Sequence, residues 1–310
     1  MTELIRNSYN IKPRQYGCVA TIGNFDGLHR GHQKVIQSLI KLARQFHRPT
    51  CVIIFEPHPQ EFFYRENAPA RLMRFREKFK SLQALGIDRV LCLRFNKRLA
   101  ECSATDFVKK ILIEKLGIKG LMIGDDFRFG KARQGDWVLL KNLGREYGFK
   151  VFSTPTLLFD NERIGSSRVR NAVKQADFKL AERLLGHSFT LSGRVIYGDQ
   201  RGRLLGFSTA NVGLHRRIAP LEGVFIVKVY GLASIPIAGV ANCGTRPTMN
   251  GLKNLLEVYL FDFNRTIYGQ FIEIEFLEKI RDEKKFESIE TLKQRIAKDV
   301  ATAKEYFIKN

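Results

Sequence analysis

Along this 310-residue chain the apolar positions change period near residue 186. Up to residue 154, short and almost uninterrupted apolar runs at 18–22, 50–55, 89–93, 120–124 and 150–154 alternate with stretches whose apolar residues recur every three to four positions. Runs of the first kind read as strands buried on both faces, and their alternation with helices predicts an open parallel sheet. The helical stretches begin with Val35, Ile36, Leu39, Ile40, Ala43 and Phe46 and continue near 71–85, 104–116 and 137–147, with Ser103 placed to cap the third. Beyond Gly186, strand-like runs at 191–197, 223–230, 235–242, 255–261 and 271–276 follow one another with few helices between them, the pattern of a small antiparallel barrel. A last helix, capped by Ser288, carries Ile289, Leu292, Ile296, Val300, Ala303 and Phe307 in one stripe that can pack against the barrel. The predicted fold class is α/β plus β: a parallel-sheet domain at 1–186, then a small antiparallel β-barrel with a closing C-terminal helix at 187–310.

The polar residues between these elements carry the chemistry. The first run ends in Gly23-Asn24-Phe25-Asp26-Gly27-Leu28-His29-Arg30-Gly31-His32 and opens directly into a helix. Glycines permit a sharp turn, and the unpaired N–H groups of a helix start attract phosphate. A main chain bare at Gly31 allows a triphosphate to approach, with His29 and His32 on either side, while Asn24 and Asp26 can fix the turn or contact a nucleotide. A glycine turn with two surface histidines is the competing reading.

Other candidate groups also fall where strands end, at the place ligands occupy in open α/β sheets. Phe55-Glu56-Pro57-His58-Pro59 is a proline-set loop bearing a carboxylate and an imidazole, or a mere turn. Gly124-Asp125-Asp126-Phe127-Arg128-Phe129-Gly130 combines acids, an arginine and two rings able to hold a flat ligand. In Gly165-Ser166-Ser167-Arg168-Val169-Arg170 a serine can cap a helix whose first turn bears two arginines, against the helix dipole, as an anion site requires. In the second domain, the basic loop 198–206, with Gly202, Arg203 and Gly206, runs into Thr209 and Asn211, hard oxygen ligands two apart on one strand face that suit Mg²⁺ beside a nucleotide. Alternation places Glu257 with Leu255, Tyr259 and Phe261, where it is either a general base or a charge guarding a strand edge. The segment 242–248 reads as a polar turn, with Arg246 able to reach a substrate.

Composition narrows the setting. The net charge of +21, from 52 Lys and Arg against 31 Asp and Glu, suits anionic substrates, nucleic acid or an acidic membrane alike. Its basic residues are dispersed, without an RNA-binding aromatic motif or a basic tail, which disfavours nucleic acid. No apolar run approaches the roughly 20 residues of a membrane span, and no signal-like apolar segment opens the chain. Five cysteines without Cys-x-x-Cys spacing fit a reducing cytoplasm. Oligomeric state is not written in these patterns.

With both halves read, the chain resembles the bacterial bifunctional riboflavin kinase and FMN adenylyltransferase family, also called FAD synthetases. The resemblance rests on 23–32, 55–59, 124–130, 165–170, 198–211, 239–248 and 257–263 in the family's order. It implies a Rossmann-like H-x-G-H nucleotidyltransferase domain followed by a riboflavin kinase barrel, with ATP as co-substrate and riboflavin, FMN and FAD as the other partners. It further implies that His29 and His32 stabilise phosphate charge in the transition state, that Glu257 activates the riboflavin 5′-hydroxyl, and that Thr209 and Asn211 bind Mg²⁺. Gly23, Asn24, Phe25, Asp26, Gly31, Asp126, Ser166, Ser167, Arg168, Arg170, Gly202, Arg203 and Gly206 would contact nucleotide and phosphates, Arg168 gripping the leaving pyrophosphate. Phe55, Pro57, His58, Phe127, Arg128, Phe129 and Arg246 would contact flavin. Three positions depart from the family pattern: Ser208 stands where a proline precedes Thr209, and Gly165 and Ser167 stand where a serine and a threonine are usual. Two other readings compete: another H-x-G-H nucleotidyltransferase serving RNA, and a non-enzymatic binding protein derived from an enzyme.

Overall fold

The structure is a computed structural model that describes residues 1–198, 207–248, 251–284 and 286–310, with the backbone alone described at 245–248 and 251–255. Gly202, Arg203 and Gly206 therefore lie outside the described residues, as does the Arg246 side chain. The chain forms two compact units, one of residues 1–69 with 73–165 and one of residues 70–72 with 166–310.

The first unit is a six-stranded, wholly parallel sheet. Its strands are β1 (Glu3–Arg6), β2 (Val19–Ile22), β3 (Thr50–Glu56), β4 (Arg89–Arg94), β5 (Gly120–Gly124) and β6 (Lys150–Thr154), in the order β1-β4-β3-β2-β5-β6. The helices are α1 (Arg30–Gln45), α2 (Pro59–Tyr64), α3 (Phe75–Ala84), α4 (Lys97–Ala100), α5 (Ala104–Phe107) and α6 (Trp137–Tyr147). Alternate strand residues feed two separate cores, as a sheet covered on both faces demands. Ala20, Ile53, Leu91, Leu93 and Leu121 pack with Phe107, Val108, Leu112 and Leu140 on one side. Val19, Val52, Ile54, Val90 and Met122 pack with Ile36, Leu39, Leu42 and Leu82 on the other.

Three details depart from the sequence expectation. β1 was not predicted; Leu4 and Ile5 leave only one inward residue buried, too short a signal for period analysis. The expected helix at 71–85 starts only at Phe75, capped at Arg74 by the Glu77 carboxylate, which accepts the Arg74 N–H at 2.6 Å. The helix begun by Ser103, whose hydroxyl accepts from the Asp106 N–H at 3.0 Å, widens into a π-helix at Val108–Ile113. There the Glu114 N–H reaches five residues back to the Lys109 carbonyl.

The second unit holds α7 (Ser166–Lys174), α8 (Phe178–Leu185) and six strands: β9 (Thr190–Ile196), β10 (Thr209–Gly213), β11 (Gly223–Tyr230), β12 (Ile237–Thr248), β13 (Gly251–Leu260) and β14 (Phe271–Arg281). They close into a barrel in the order β10-β13-β12-β11-β14-β9, all antiparallel. Phe178 of α8 packs against Phe189, Phe225 and Phe276, so the helix plugs the apolar interior. The expected turn at 242–248 is instead strand: Gly244 to Thr248 continue β12, paired in register with β13 through Thr248 and Gly251. Polar composition alone did not reveal this, because one face of an antiparallel strand can be wet.

The C-terminal helix, Ile289–Lys309, is capped by the Ser288 hydroxyl as expected. Ala303 is fully buried and Phe307 meets Phe261 edge-on at 6.3 Å. Ile289, placed in the packing stripe by periodicity, is exposed. The helix is anchored further along by Asp299, which accepts from Arg281 Nη2 at 2.8 Å and lies 3.2 Å from Arg295 Nε.

Candidate functional site: two nucleotide-handling centres

The order of the parallel sheet locates the first centre. The chain runs from β2 through β3 to β4 on one side and from β5 to β6 on the other, so the switch point lies between β2 and β5, and a crevice opens at their carboxyl ends. Residues 23–32 leave β2 there, and residues 125–130 leave β5. The turn after β2 holds positive φ at Phe25, Gly27 and Leu28 while Phe25 and Leu28 are buried to 2% exposure. Asp26, 1% exposed, accepts the Met73 N–H at 2.9 Å, which makes it a pin for the turn.

α1 begins at Arg30, so His29 is its N-cap and Gly31 and His32 fill its first turn. His29 accepts the His32 N–H through Nδ1 at 3.3 Å, which places its own proton on Nε2. The two imidazoles stack with centroids 3.6 Å apart at 16°, and Phe25 backs His32 at 5.1 Å. A side chain at Gly31 would crowd its neighbours: an added Cβ would lie 3.2 Å from the His29 ring and 3.3 Å from the Ile164 carbonyl. The result is a helix N-terminus with two parallel imidazoles beside it, a geometry that stabilises negative charge building on phosphate oxygens.

On the other face of the sheet, a wall of rings follows β3, β4 and β5. Phe55 meets Phe95 at 5.9 Å and Phe107 at 6.4 Å, Phe107 meets Phe129 at 6.0 Å, and Phe127 stacks on Phe129 at 5.6 Å. Phe107 and Phe129 belong to the buried core, so the partly exposed Phe55, Phe95 and Phe127 are the rings that a planar ligand could meet. His58 is not held out as a free imidazole; it is 7% exposed and caps α2 by accepting the Gln60 N–H at 3.1 Å. Pro57 is exposed between them. Arg128 is committed to Asp136 at 2.9 Å, and the Leu139 N–H, with Arg128 second, holds the Asp136 carboxyl below its ordinary range. Asp126 is ion-paired with Arg163, a partner the sequence did not suggest because it sits 37 residues away in the two-residue ladder of β7 (Leu158–Phe159) and β8 (Glu162–Arg163). Asp125 bonds the Thr156 hydroxyl at 2.8 Å, the chief reason its pKa is lowered.

Within the second unit, α7 starts at Ser166, so Ser166 and Ser167 stand inside the first turn and neither is the cap that the sequence suggested. Gly165 precedes them, and arginines at 168 and 170 follow. Arg170 donates from Nε to the Ala70 carbonyl at 2.7 Å.

The second centre is a polar row on the outer wall of the barrel. In register across β10, β13 and β12 lie Asn211, Glu257 and Asn242. Thr209 shares the Asn211 face of β10, opposite Tyr259. Phe261 and Tyr259 pack with Val240 and the C-terminal helix, which identifies this face as the outer one, while Leu256 and Val258 fill the interior. Asn211 is 8% exposed, and the Gly198 backbone rests directly on its amide where a Cβ would collide. Asn242, which sequence reading passed over, has a buried Oδ1 without a hydrogen-bond partner among the described residues. Only the pairing of β12 with β13 puts it next to Glu257.

A parallel α/β unit with an H-x-G-H helix start, followed by a closed barrel with an oxygen-rich row beside a carboxylate, defines a two-domain transferase acting on phosphates. Residues 11–168 match the model of the FAD synthetase family and residues 185–307 that of riboflavin kinase. The bifunctional riboflavin kinase/FMN adenylyltransferase of Escherichia coli K12 is 48% identical over 98% of both chains, and that of Haemophilus influenzae 46% over 98% of this chain and 99% of its own. A solved structure described as a macrolide-efflux protein from Streptococcus pneumoniae is 29% identical over 98% of both chains, with a TM-score of 0.81. The chain belongs to the bifunctional riboflavin kinase/FMN adenylyltransferase family. It phosphorylates riboflavin to FMN with ATP through its C-terminal domain and converts ATP and FMN to FAD and diphosphate through its N-terminal domain. Among the described residues, no helix is long and apolar enough to cross a membrane.

Proposed function

We propose a division of labour by residue, with functional domains at 1–186 and 187–310. In the first, the FMN phosphate oxygen attacks the α-phosphorus of ATP and diphosphate leaves. His29 and His32 stabilise the charge that develops on the phosphate oxygens, and the α1 N-terminus adds its N–H groups. The stacking of the two imidazoles at 3.6 Å is the observation that carries this assignment, because it fixes both rings at the helix start. Gly23, Asn24, Phe25, Asp26 and Gly31 shape that turn, with Asp126, Ser166, Ser167, Arg168 and Arg170 as further nucleotide and phosphate contacts. Phe55, Phe127 and Phe129 offer the flavin ring a wall, with Pro57, His58 and Arg128 as further flavin contacts, while Arg246 is a flavin contact of the second domain.

In the second domain, Glu257 takes the proton of the riboflavin 5′-hydroxyl as that oxygen attacks the γ-phosphorus and ADP leaves. Mg²⁺ fits the donor set: Thr209 and Asn211 supply neutral hard oxygens, and the nearby Asn242 has a buried oxygen with bonding capacity unused among the described residues. Held there, the ion would neutralise charge on the ATP phosphates. Gly202, Arg203 and Gly206 complete the phosphate loop. The setting is the cytoplasm.

One incubation tests the division. With riboflavin, ATP and Mg²⁺, His29→Ala with His32→Ala should stop at FMN, and Glu257→Ala should make FAD only from supplied FMN, both read by chromatography. Loss of both steps in either variant would overturn the assignment.

A further inference from the structure

A second cavity lies on the first unit, away from the switch point between β2 and β5. It opens at the carboxyl ends of β1, β4 and β3, encloses about 300 Å³, and is lined by Arg6, Asn7, Glu56, Phe75, Cys92 and Arg94. The register explains how these residues meet: Arg6 pairs with Cys92 across β1 and β4, and Glu56 pairs with Arg94 across β3 and β4. All sit on the α3 side of the sheet, whereas the ring wall uses the other face through Phe55 and Leu93. The volume is at the small end of those that hold drug-sized molecules.

The lining is selective in charge. Neither the Arg6 nor the Arg94 guanidinium makes a hydrogen bond or ion pair with a described residue; Arg6 instead lies over the Phe75 ring at 6.0 Å. Two guanidinium forks and one carboxylate leave a net positive rim that suits a phosphate group. Phe75, with Arg6 over its ring and Phe79 stacked 6.1 Å away, adds an aromatic surface to the lining against which a planar ring can pack. The wall is braced at a strained residue. Asn7 holds φ 64° and ψ 154°, fixed by its N–H on the Cys92 carbonyl at 2.8 Å and by its Oδ1 receiving the Arg94 N–H at 2.8 Å. Strain kept in place by such bonds is a mark of binding sites.

We infer that this cavity binds a small phosphomonoester bearing a planar ring, with Arg6 and Arg94 clasping the phosphate and Phe75 facing the ring, at a site separate from the His29–His32 centre. Its position gives occupancy a consequence. Phe75 begins α3, and two residues before it Met73 donates its N–H to Asp26 in the turn that leads to His29. A ligand seated on Phe75 therefore acts on the turn of the adenylyl-transfer site.

The probe is phenyl phosphate, titrated calorimetrically into the full-length chain. Binding with one site per chain is expected, weakened at least tenfold in Arg6→Ala with Arg94→Ala and retained in His29→Ala with His32→Ala. Phenyl phosphate should also slow alkylation of Cys92 but not of Cys102, measured by peptide mass spectrometry, and should change FMN adenylylation at least twofold in the parent but not in the arginine variant. No binding at millimolar concentration, or binding that follows the histidines and not the arginines, overturns the site. Inorganic phosphate binding as tightly as phenyl phosphate overturns the role of the ring, and an unchanged adenylylation rate overturns the link to the turn.

Discussion

Gly31→Ala sets two effects of opposite sign against each other. Alanine is worth about 1 kcal/mol over glycine in a helix interior and less in the first turn, where Gly31 sits, so the change should leave the fold about as stable. The new methyl, however, would sit 3.2 Å from both Cε1 and Nδ1 of His29 and 3.3 Å from the Ile164 carbonyl oxygen. Ordinary contacts between such atoms start near 3.5 Å, so the ring must retreat by roughly 0.3–0.5 Å. It has little slack, since its Nδ1 bond to the His32 N–H is already 3.3 Å and its other face is stacked on His32. A misplacement of about 1 Å in a positioned group can cost about a hundredfold in rate, so roughly half that shift should cost about tenfold, near 1.4 kcal/mol. The assay is FAD formation from FMN and ATP, with FMN formation from riboflavin by the same preparation as the internal control. Adenylylation within about twofold of the parent, or an equal fall in both activities, would refute the reasoning.

Three further outcomes follow from local contacts. Gly198→Ala drives a methyl into the Asn211 amide and should depress riboflavin phosphorylation while sparing adenylylation of supplied FMN; equal rates in the two assays would contradict it. Asp299→Ala leaves the Arg281 guanidinium, 16% exposed, without its carboxylate and should cost about 3 kcal/mol in chemical denaturation of the barrel unit, with Asp299→Asn costing less. The Thr156 hydroxyl lowers the Asp125 pKa, so its contribution to stability is present above the unfolded carboxyl value near pH 4 and is lost as pH falls through the lower folded value. Thr156→Val should raise the Asp125 pKa in a carbon NMR titration, and an unmoved titration would count against that hydrogen bond.

What could be read from the sequence was what is local in the chain. The strands β2 to β6 announce themselves because each is buried on both faces, and Ser103 and Ser288 as caps need only three residues of context. The H-x-G-H start was legible for the same reason: strand, turn and helix are contiguous. What escaped depends on pairing between distant residues. Arg163 finds Asp126, Asn242 finds Glu257, and Phe95 and Phe107 join Phe55 only once strands are laid side by side. β12 was shortened because 242–248 is polar, and its extension rests on hydrogen bonds to β13 that composition does not encode. The serines of α7 misled as caps because the helix takes them into its first turn after Gly165.

The sheet order carries one more implication, for synthesis on the ribosome. Of the strands in this sheet β1 is made before the others, yet its one partner there is β4, which begins 83 residues beyond the end of β1 at Arg89. Chains emerge at about 5–20 residues per second, so β1 must wait several seconds before it can pair. Meanwhile β2 and β3 can dock together, so β1 is seated only after β4 has followed them, although it was made before all three. A nascent chain arrested before residue 89 should therefore leave residues 3–6 open to protease, and one arrested well past residue 94 should protect them.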